Sequence, residues 1–532
     1  MHGRVKVRTT EEEKARKAKE RQEKLKIFKL AMQKINAKRE AKELDKELLE
    51  LTGQVLSANP DIYTLWNIRR EILETLRENE VENMSNLYDS ELSLTEHCLK
   101  YNPKSYSAWH QRIFVLTTRT DPDWNKELVL CDKYLKFDER NFHTWDYRRF
   151  VVANCDASLN DEFDFTTDKL MDNFSNYSAW HYRSKMLVQL YPDLKGGRPI
   201  EDSHHKNELK LVQNAAFTDP DDSSAWFYQR WLLSAVKENT QLVICKFTPN
   251  KSSIAFNKTL LHDQVSSRTR VSFNNVPVSC NWVAATGNIS DSLWICQFEE
   301  KLDQNIDIKI EYEMEDGYTQ TVTLKNSDNL IYVGKSDISF QRQYSEPVIE
   351  ELKKQLLACR QLVDMEPDSK WTLLTTSIFL HCIDAKLHHL ESIDNLKELK
   401  SIDKLRRGYY DDLISKWNIE NMLIDIYNHK DVYNCQFKLN LIDKVTCLAN
   451  LQYFSHFEIV DFSEQNLTST ILPSLILLQH CKVLNLENNK LTTLRGFPKL
   501  DLKTLNIKRN NIDLKEIELF KNNHINCTVI FD

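Results

Sequence analysis

The rhythm of apolar positions changes several times along the 532 residues, and each change marks a different kind of element. Between Glu11 and Glu50 a charged, helix-favouring stretch carries Leu25, Phe28, Met32 and Ile35 at three- and four-residue steps, one apolar stripe along a helix. Thr9 or Thr10 is placed to cap it, and residues 1–10 read as a short extended arm. From about residue 40 to 236 the helical period is broken by turns at regular intervals. Across 241–340 the period shortens to two: VSFNNVPVSCNWVAA, SLWICQF, IDIKIEYEME and TQTVTLKN alternate apolar and polar residues with β-branched enrichment, which predicts an antiparallel sandwich of immunoglobulin-like kind. Helical spacing resumes near Glu346 and runs to about Ile426. The tail changes once more. KVLNLENNKLTTL and TLNIKRNNI place Leu484, Leu486, Asn489, Leu491 and Leu505, Ile507, Asn510, Ile512 on a leucine-rich-repeat template, with Val460, Phe462, Gln465 and Leu467 as an imperfect copy.

The helical part is one motif rewritten. PDIYTLWNIRREIL, PKSYSAWHQRIFVL, ERNFHTWDYRRFVV, FSNYSAWHYRSKML and DPDDSSAWFYQRWLL share a turn, an aromatic in most copies, a tryptophan and an apolar run. Trp66, Trp109, Trp145, Trp180 and Trp226 recur at spacings of 43, 36, 35 and 46 residues, and a worn sixth copy centres on Trp371. Such a period belongs to stacked helix pairs, since one pair cannot bury its apolar face alone. The aromatic three residues before tryptophan (Tyr63, Tyr106, Phe142, Tyr177) is expected on the same helix face. Arg69, Arg112, Arg148 and Arg183, three residues after it, either stack on the indole or pair across repeats. In the fifth copy the arginine moves to Arg230, and the sixth has none at that place. These residues serve helix packing first.

The fold class expected is therefore mainly α: an α-α superhelix of five repeats over 11–238, an inserted β-sandwich at 239–345, further helices with the sixth copy at 346–436, and leucine-rich repeats at 437–532. Nine Gly and 12 Pro are few for this length and favour helices. A net charge of −7 gives no support to nucleic-acid binding. The 12 Cys are scattered without CxxC or Cys/His clusters, which reads as free thiols in a reducing compartment. No signal-peptide core or membrane-spanning run appears, so a cytoplasmic chain without stable membrane insertion is expected. No phosphate loop, HExxH or GxSxG is present, and His204-His205 and His388-His389 are expected at the surface. That is the profile of a subunit completing another chain's site, or of a non-catalytic helical-repeat scaffold.

The recurring Pro-x-x-Tyr-x-x-Trp-x-x-Arg resembles the α subunits of protein prenyltransferases. With the opening MHGR, the β insertion and the leucine-rich tail, the chain is most similar throughout its length to the Rab geranylgeranyltransferase branch. Farnesyltransferase α subunits, shared with the type I geranylgeranyltransferase, lack the insertion and are the nearer rival. The resemblance implies a heterodimer in which a prenyltransferase β subunit holds Zn2+ and the lipid tunnel, geranylgeranyl diphosphate is the donor, and Rab GTPases are presented by a Rab escort protein. The escort docks on outer helices of the 346–426 region in that family. The resemblance also implies roles for residues. Lys104 and Tyr106, in Lys104-Ser105-Tyr106, match a turn from which farnesyltransferase α subunits send a lysine and a tyrosine to the diphosphate. Asn141-Phe142-His143 matches the family's Asn-Tyr-His, with a phenylalanine in place of the tyrosine hydroxyl and His143 kept as a donor. His2, on the arm, is placed to reach the β-subunit zinc. Without the family, Lys104 is a surface lysine before a helix and His2 a terminal surface residue.

Overall fold

The tryptophan period becomes a period of helix pairs in the computed structural model, which describes residues 11–79, 83–236, 239–296, 302–328, 330–429 and 435–532. The arm, His2 and the Thr9 or Thr10 cap lie outside the described residues. The chain divides into two compact units between Met186 and Leu187.

The first unit opens with α1 (Glu11–Glu40), followed by the pairs α2 (Lys46–Ala58) and α3 (Tyr63–Glu78), α4 (Met84–Tyr101) and α5 (Tyr106–Thr118), α6 (Trp124–Phe137) and α7 (Phe142–Val152), then α8 (Leu159–Asp172) and α9 (Tyr177–Leu190). Only the end of the α1 stripe is covered by the chain itself: Ile35 is buried and Met32 packs beside it, whereas Leu25 and Phe28 are exposed. Asp45, Asp123 and Ser158 cap α2, α6 and α8 by accepting a backbone N–H from the first turn.

Trp66, Trp109, Trp145 and Trp180 are at most 4% exposed. An indole of that size removes roughly 200 Å² from water, about 5 kcal/mol as an upper bound. The aromatic three residues earlier is not on that buried face. Tyr63, Tyr106 and Tyr177 are 67%, 69% and 53% exposed, and Phe142 is 48% exposed. Each is the first residue of its helix, and Cβ bonds tilt toward the helix N-terminus, so these rings overhang the turn and stay largely exposed.

The arginines settle on pairing across helices. Arg69 Nε donates to Glu91 Oε2 at 3.1 Å, Arg112 Nε to Glu127 Oε2 at 2.6 Å and Arg148 Nε to Glu162 Oε2 at 2.9 Å, so three inner helices are each tied to the helix that follows. Arg148 and Arg183 additionally lie over the rings of Phe165 and Phe163, 3.6 and 3.7 Å from the centroids.

The second unit begins with α10 (Asp202–Thr218) and α11 (Ser223–Ser234). Its strands are β1 (Leu242–Phe247), β2 (Ser252–Leu261), β3 (Thr269–Phe273), β4 (Val276–Val278), β5 (Val283–Ala284), β6 (Ser290–Cys296), β7 (Ile308–Glu313), β8 (Thr319–Asp328) and β9 (Ile331–Lys335), with the short α12 (His262–Arg268) between β2 and β3. They form one antiparallel sheet in the order β4-β3-β7-β8-β9-β1-β2-β6-β5. The two-layered core expected of a sandwich arises by curling. Phe256 on β2 and Tyr312 on β7 are four strands apart, about 19 Å in a flat sheet, yet their rings are 4.9 Å apart. Gly334 on β9 is required there, because a Cβ would sit 2.8 Å from Val322 and 3.0 Å from the Thr323 carbonyl.

Four helices follow: α13 (Glu346–Met365), α14 (Lys370–Asp384), α15 (His389–Ile402) and α16 (Arg407–His429). The tail forms a second sheet of β10 (Gln436–Lys438), β11 (Ile459–Asp461), β12 (Val483–Asn485), β13 (Thr504–Asn506) and β14 (Thr528–Ile530), all parallel and in chain order, with α17 (Leu514–Asn523) before the last strand. Phe437, Val460, Leu484, Leu505 and Val529 pair in one register across the five strands. Gln465, Asn489 and Asn510 each accept a backbone N–H from the preceding coil, of Val445, Leu467 and Leu491. Asn489 Nδ2 also donates to the Phe462 carbonyl, and Asn510 Nδ2 to that of Leu486.

The adjacent histidines part company. His204 is only partly exposed and stacks on Tyr191 at 3.7 Å, but His205 is buried, with Nε2 3.0 Å from the Leu232 carbonyl. His389 is half-buried against Asn418 at 3.0 Å. Neighbours on a helix diverge by about 100°, so one of a pair turns onto the packed face. Among the described residues the twelve cysteines form no disulfide. Among the described residues no helix is long and apolar enough to cross a membrane.

Candidate functional site at the turn edge

The turns before the inner helices are held in place by a chain of shared carbonyls. In five copies the tryptophan Nε1–H donates to the carbonyl six residues upstream: Trp66 to Pro60, Trp109 to Pro103, Trp145 to Glu139, Trp180 to Phe174 and Trp226 to Pro220, at 2.7–3.0 Å. The same carbonyl then accepts from the next turn. Ser105 Oγ donates to Pro60 at 3.2 Å, Asn141 Nδ2 to Pro103 at 3.1 Å and Asn176 Nδ2 to Glu139 at 2.9 Å. A buried carbonyl with two lone pairs is thereby satisfied twice, and successive turns are fixed edge to edge.

This ladder brings three of the four candidate site residues together. Tyr106, on the first turn of α5, sets its ring edge-on to His143, centroids 4.2 Å apart, and Phe142 covers the same imidazole at 4.0 Å. Lys104, 63% exposed at its side chain, stands before that helix, its Nζ 4.0 Å from Asp138 Oδ2 and so only loosely engaged. His143 itself is buried. Burial, with the Lys104 charge adding to it, holds its pKa below the usual value, and Asp146 opposes the shift. The imidazole is therefore neutral near pH 7. A mobile ammonium, a phenol and a neutral imidazole at one exposed edge suit recognition of a phosphate-bearing ligand, with the lysine as a point charge. His2 lies outside the described residues, and among those described no group of three His, Cys, Asp or Glu side chains is arranged to hold a metal.

Sequence reading passed over a second feature of this edge. Tyr101, Phe137 and Met171, at the ends of α4, α6 and α8, are 72%, 81% and 77% exposed. Together with Tyr63, Tyr106, Phe142 and Tyr177 they line the turns with uncovered apolar surface, the mark of a protein contact. The signal was available: each stands at or next to the end of its helix, immediately before an Asn or Asp (Asn102, Asp138, Asp172).

The helical repeat is, by class, that of protein prenyltransferase α subunits. The family model for the protein prenyltransferase alpha subunit repeat matches residues 45–76, 88–119, 124–155, 159–190 and 205–236, the five helix pairs described above. The geranylgeranyl transferase type-2 subunit alpha of Mus musculus is 36% identical over 515 residues, covering 94% of this chain and 89% of that one. Its counterpart from Homo sapiens is 37% identical over 519 residues, with the same coverage of 94% and 89%. The relative from Schizosaccharomyces pombe is 34% identical over 250 residues, 45% of this chain and 73% of its own. The chain belongs to the geranylgeranyl transferase type-2 α subunit family.

Proposed function

We propose that this chain is the α subunit of a heterodimeric Rab geranylgeranyltransferase, which transfers geranylgeranyl groups from geranylgeranyl diphosphate to C-terminal cysteines of Rab GTPases presented by an escort protein. The observation that carries this reading is the Lys104–Tyr106–His143 cluster on an edge lined with uncovered aromatic rings, in a chain that its Mus musculus and Homo sapiens relatives match over 94% of its length. The apolar edge is the surface a β subunit would cover. Zn2+ on that β subunit would hold the accepting thiolate. This chain's residues act on the leaving group. Lys104 Nζ neutralises charge developing on the departing diphosphate, the Tyr106 hydroxyl donates to it, and neutral His143, fixed by the Asn141 turn, supplies a further N–H donor. His2 is the residue of this chain proposed to contact the β-subunit metal. The protein acts in the cytoplasm.

Co-expression with candidate β subunits, followed by a prenylation assay with and without an escort protein, tests the reading. Co-purification and escort-dependent geranylgeranyl transfer are expected. A chain that stays monomeric beside every β subunit would instead be a repeat scaffold.

A further inference from the structure

The fifth repeat breaks the arginine rule, and the break opens onto a cavity. Where Arg69, Arg112 and Arg148 meet a glutamate, the fifth copy has Gln229, fully buried and donating to Gln355 Oε1 at 3.1 Å. The cation moves one residue on, to Arg230. Its guanidinium lies over the rings of Phe227 and Trp371, 4.7 and 5.1 Å from the centroids. Its Nη1 is enclosed and has no hydrogen-bond partner among the described residues. Burial lowers its pKa to about 10, and the nearby Arg406 charge pushes the same way. A guanidinium still keeps its charge near pH 7 under that shift, so a cation is held largely out of water without an acid beside it. The two ring faces offset part of that cost, but among the described residues no carboxylate completes it.

Arg230 lines a cavity of about 820 Å³ between α11, α14, α16 and the strand domain. That volume is in the range of small-molecule sites. Arg342 and Lys416 face the same space, as does the Tyr409 ring. The acids there do not answer Arg230: Glu420 is engaged by Lys416 at 3.8 Å and by Asn450 at 3.3 Å, and Asp337 sits on the exposed rim. His381 is stacked on Trp417 and its pKa is pushed down to about 3 by burial, so it adds no charge. The balance left inside is positive.

We propose that this cavity binds the oxyanion group of a small ligand, phosphate or carboxylate, with Arg230 as its charged anchor and Arg342, Lys416 and Tyr409 as flanking donors. A planar fork already held over two aromatic rings, Phe227 and Trp371, is oriented before the anion arrives, which lowers the cost of binding.

Calorimetric titration of the full chain with inorganic phosphate and, separately, with acetate, at constant ionic strength, tests this. Saturable binding of at least one anion is expected. It should weaken about tenfold or more in Arg230→Gln and persist in the control Arg495→Gln, whose side chain is 91% exposed. Binding of phosphate alone or acetate alone identifies the source of the oxyanion. Arg230→Gln should also leave thermal stability unchanged or raised, because it removes an unbalanced buried charge. Should that variant fail to fold, Arg230→Lys decides. It keeps the charge but loses the fork, and weakening by a similar factor supports the proposal. No saturable binding to the unmodified chain, or equal binding after substitution at Arg230, overturns it, as does recovery of an Arg230-dependent acid contact only on adding a β subunit.

Discussion

Arg112 and Glu127 form a two-point ion pair sealed from water, Nε to Oε2 at 2.6 Å and Nη2 to Oε1 at 2.7 Å, with side chains 3% and 1% exposed. The Tyr147 hydroxyl donates to the same Oε2 at 2.6 Å, so one carboxylate joins α5, α6 and α7. Removing one partner leaves a buried charge unanswered. Glu127→Ala should cost about 3–5 kcal/mol in urea denaturation, while the double change Arg112→Met with Glu127→Leu should recover most of that loss. A single variant as stable as the double would show that the pair is hydrated after all.

Asn489 ties its own coil to the preceding one through both ends of its amide. It accepts from Leu467 N–H at 3.0 Å and donates to the carbonyls of Phe462 and Leu486 at 2.9 and 3.0 Å. Asn489→Ala strands a buried N–H and at least one carbonyl, at about 1–3 kcal/mol each. Hydrogen exchange should accelerate at Leu467 and its neighbours, with little change in the repeats before Met186. Uniform protection across the tail would contradict this.

His205 carries a pH signature. Burial pushes its pKa down to about 4, against about 6.5 in an unfolded chain. Between those values the unfolded state takes up a proton that the fold refuses. Its contribution is therefore complete above about pH 6.5 and is lost as pH falls toward 4, by about 1.4 kcal/mol per unit and about 3 kcal/mol in all. Stability profiles of the parent chain and His205→Gln should converge across that window as the pH falls. Parallel profiles would mean the imidazole titrates in the fold.

Lys104 is exposed and loosely held, so its loss should spare the fold and the heterodimer. In the αβ enzyme, Lys104→Ala is expected to lower single-turnover transfer about tenfold or more, as when one charge interaction is removed from a transition state. Tyr106→Phe should be milder, since one hydroxyl is lost and the ring against His143 remains. An unchanged single-turnover rate for Lys104→Ala removes it from the mechanism.

Much of the architecture was legible because it is periodic. Tryptophan at intervals of 35 to 46 residues demands stacked pairs, alternation across 241–340 demands strands, and the spacing of Leu484, Asn489 and Leu505 demands short parallel coils. The turn residues Lys104, Tyr106 and His143 were legible through the family motif. The partner of each repeat arginine was not, because Glu91, Glu127 and Glu162 lie 22, 15 and 14 residues downstream, at no constant offset.

By itself, then, the chain's order of residues determined which segments are helices and strands and which tryptophans are buried, since local period and apolar area act within a few residues. Only the folded structure decided what lies on a helix end rather than a helix face. That is why Tyr63, Tyr106, Phe142 and Tyr177 stand out from the surface three residues from a buried indole. It also decided that nine strands curl into one sheet, that His205 faces inward while His204 does not, and that Arg230 meets two rings and, among the described residues, no carboxylate. These depend on which surfaces meet across tens or hundreds of residues, and no local rhythm encodes that.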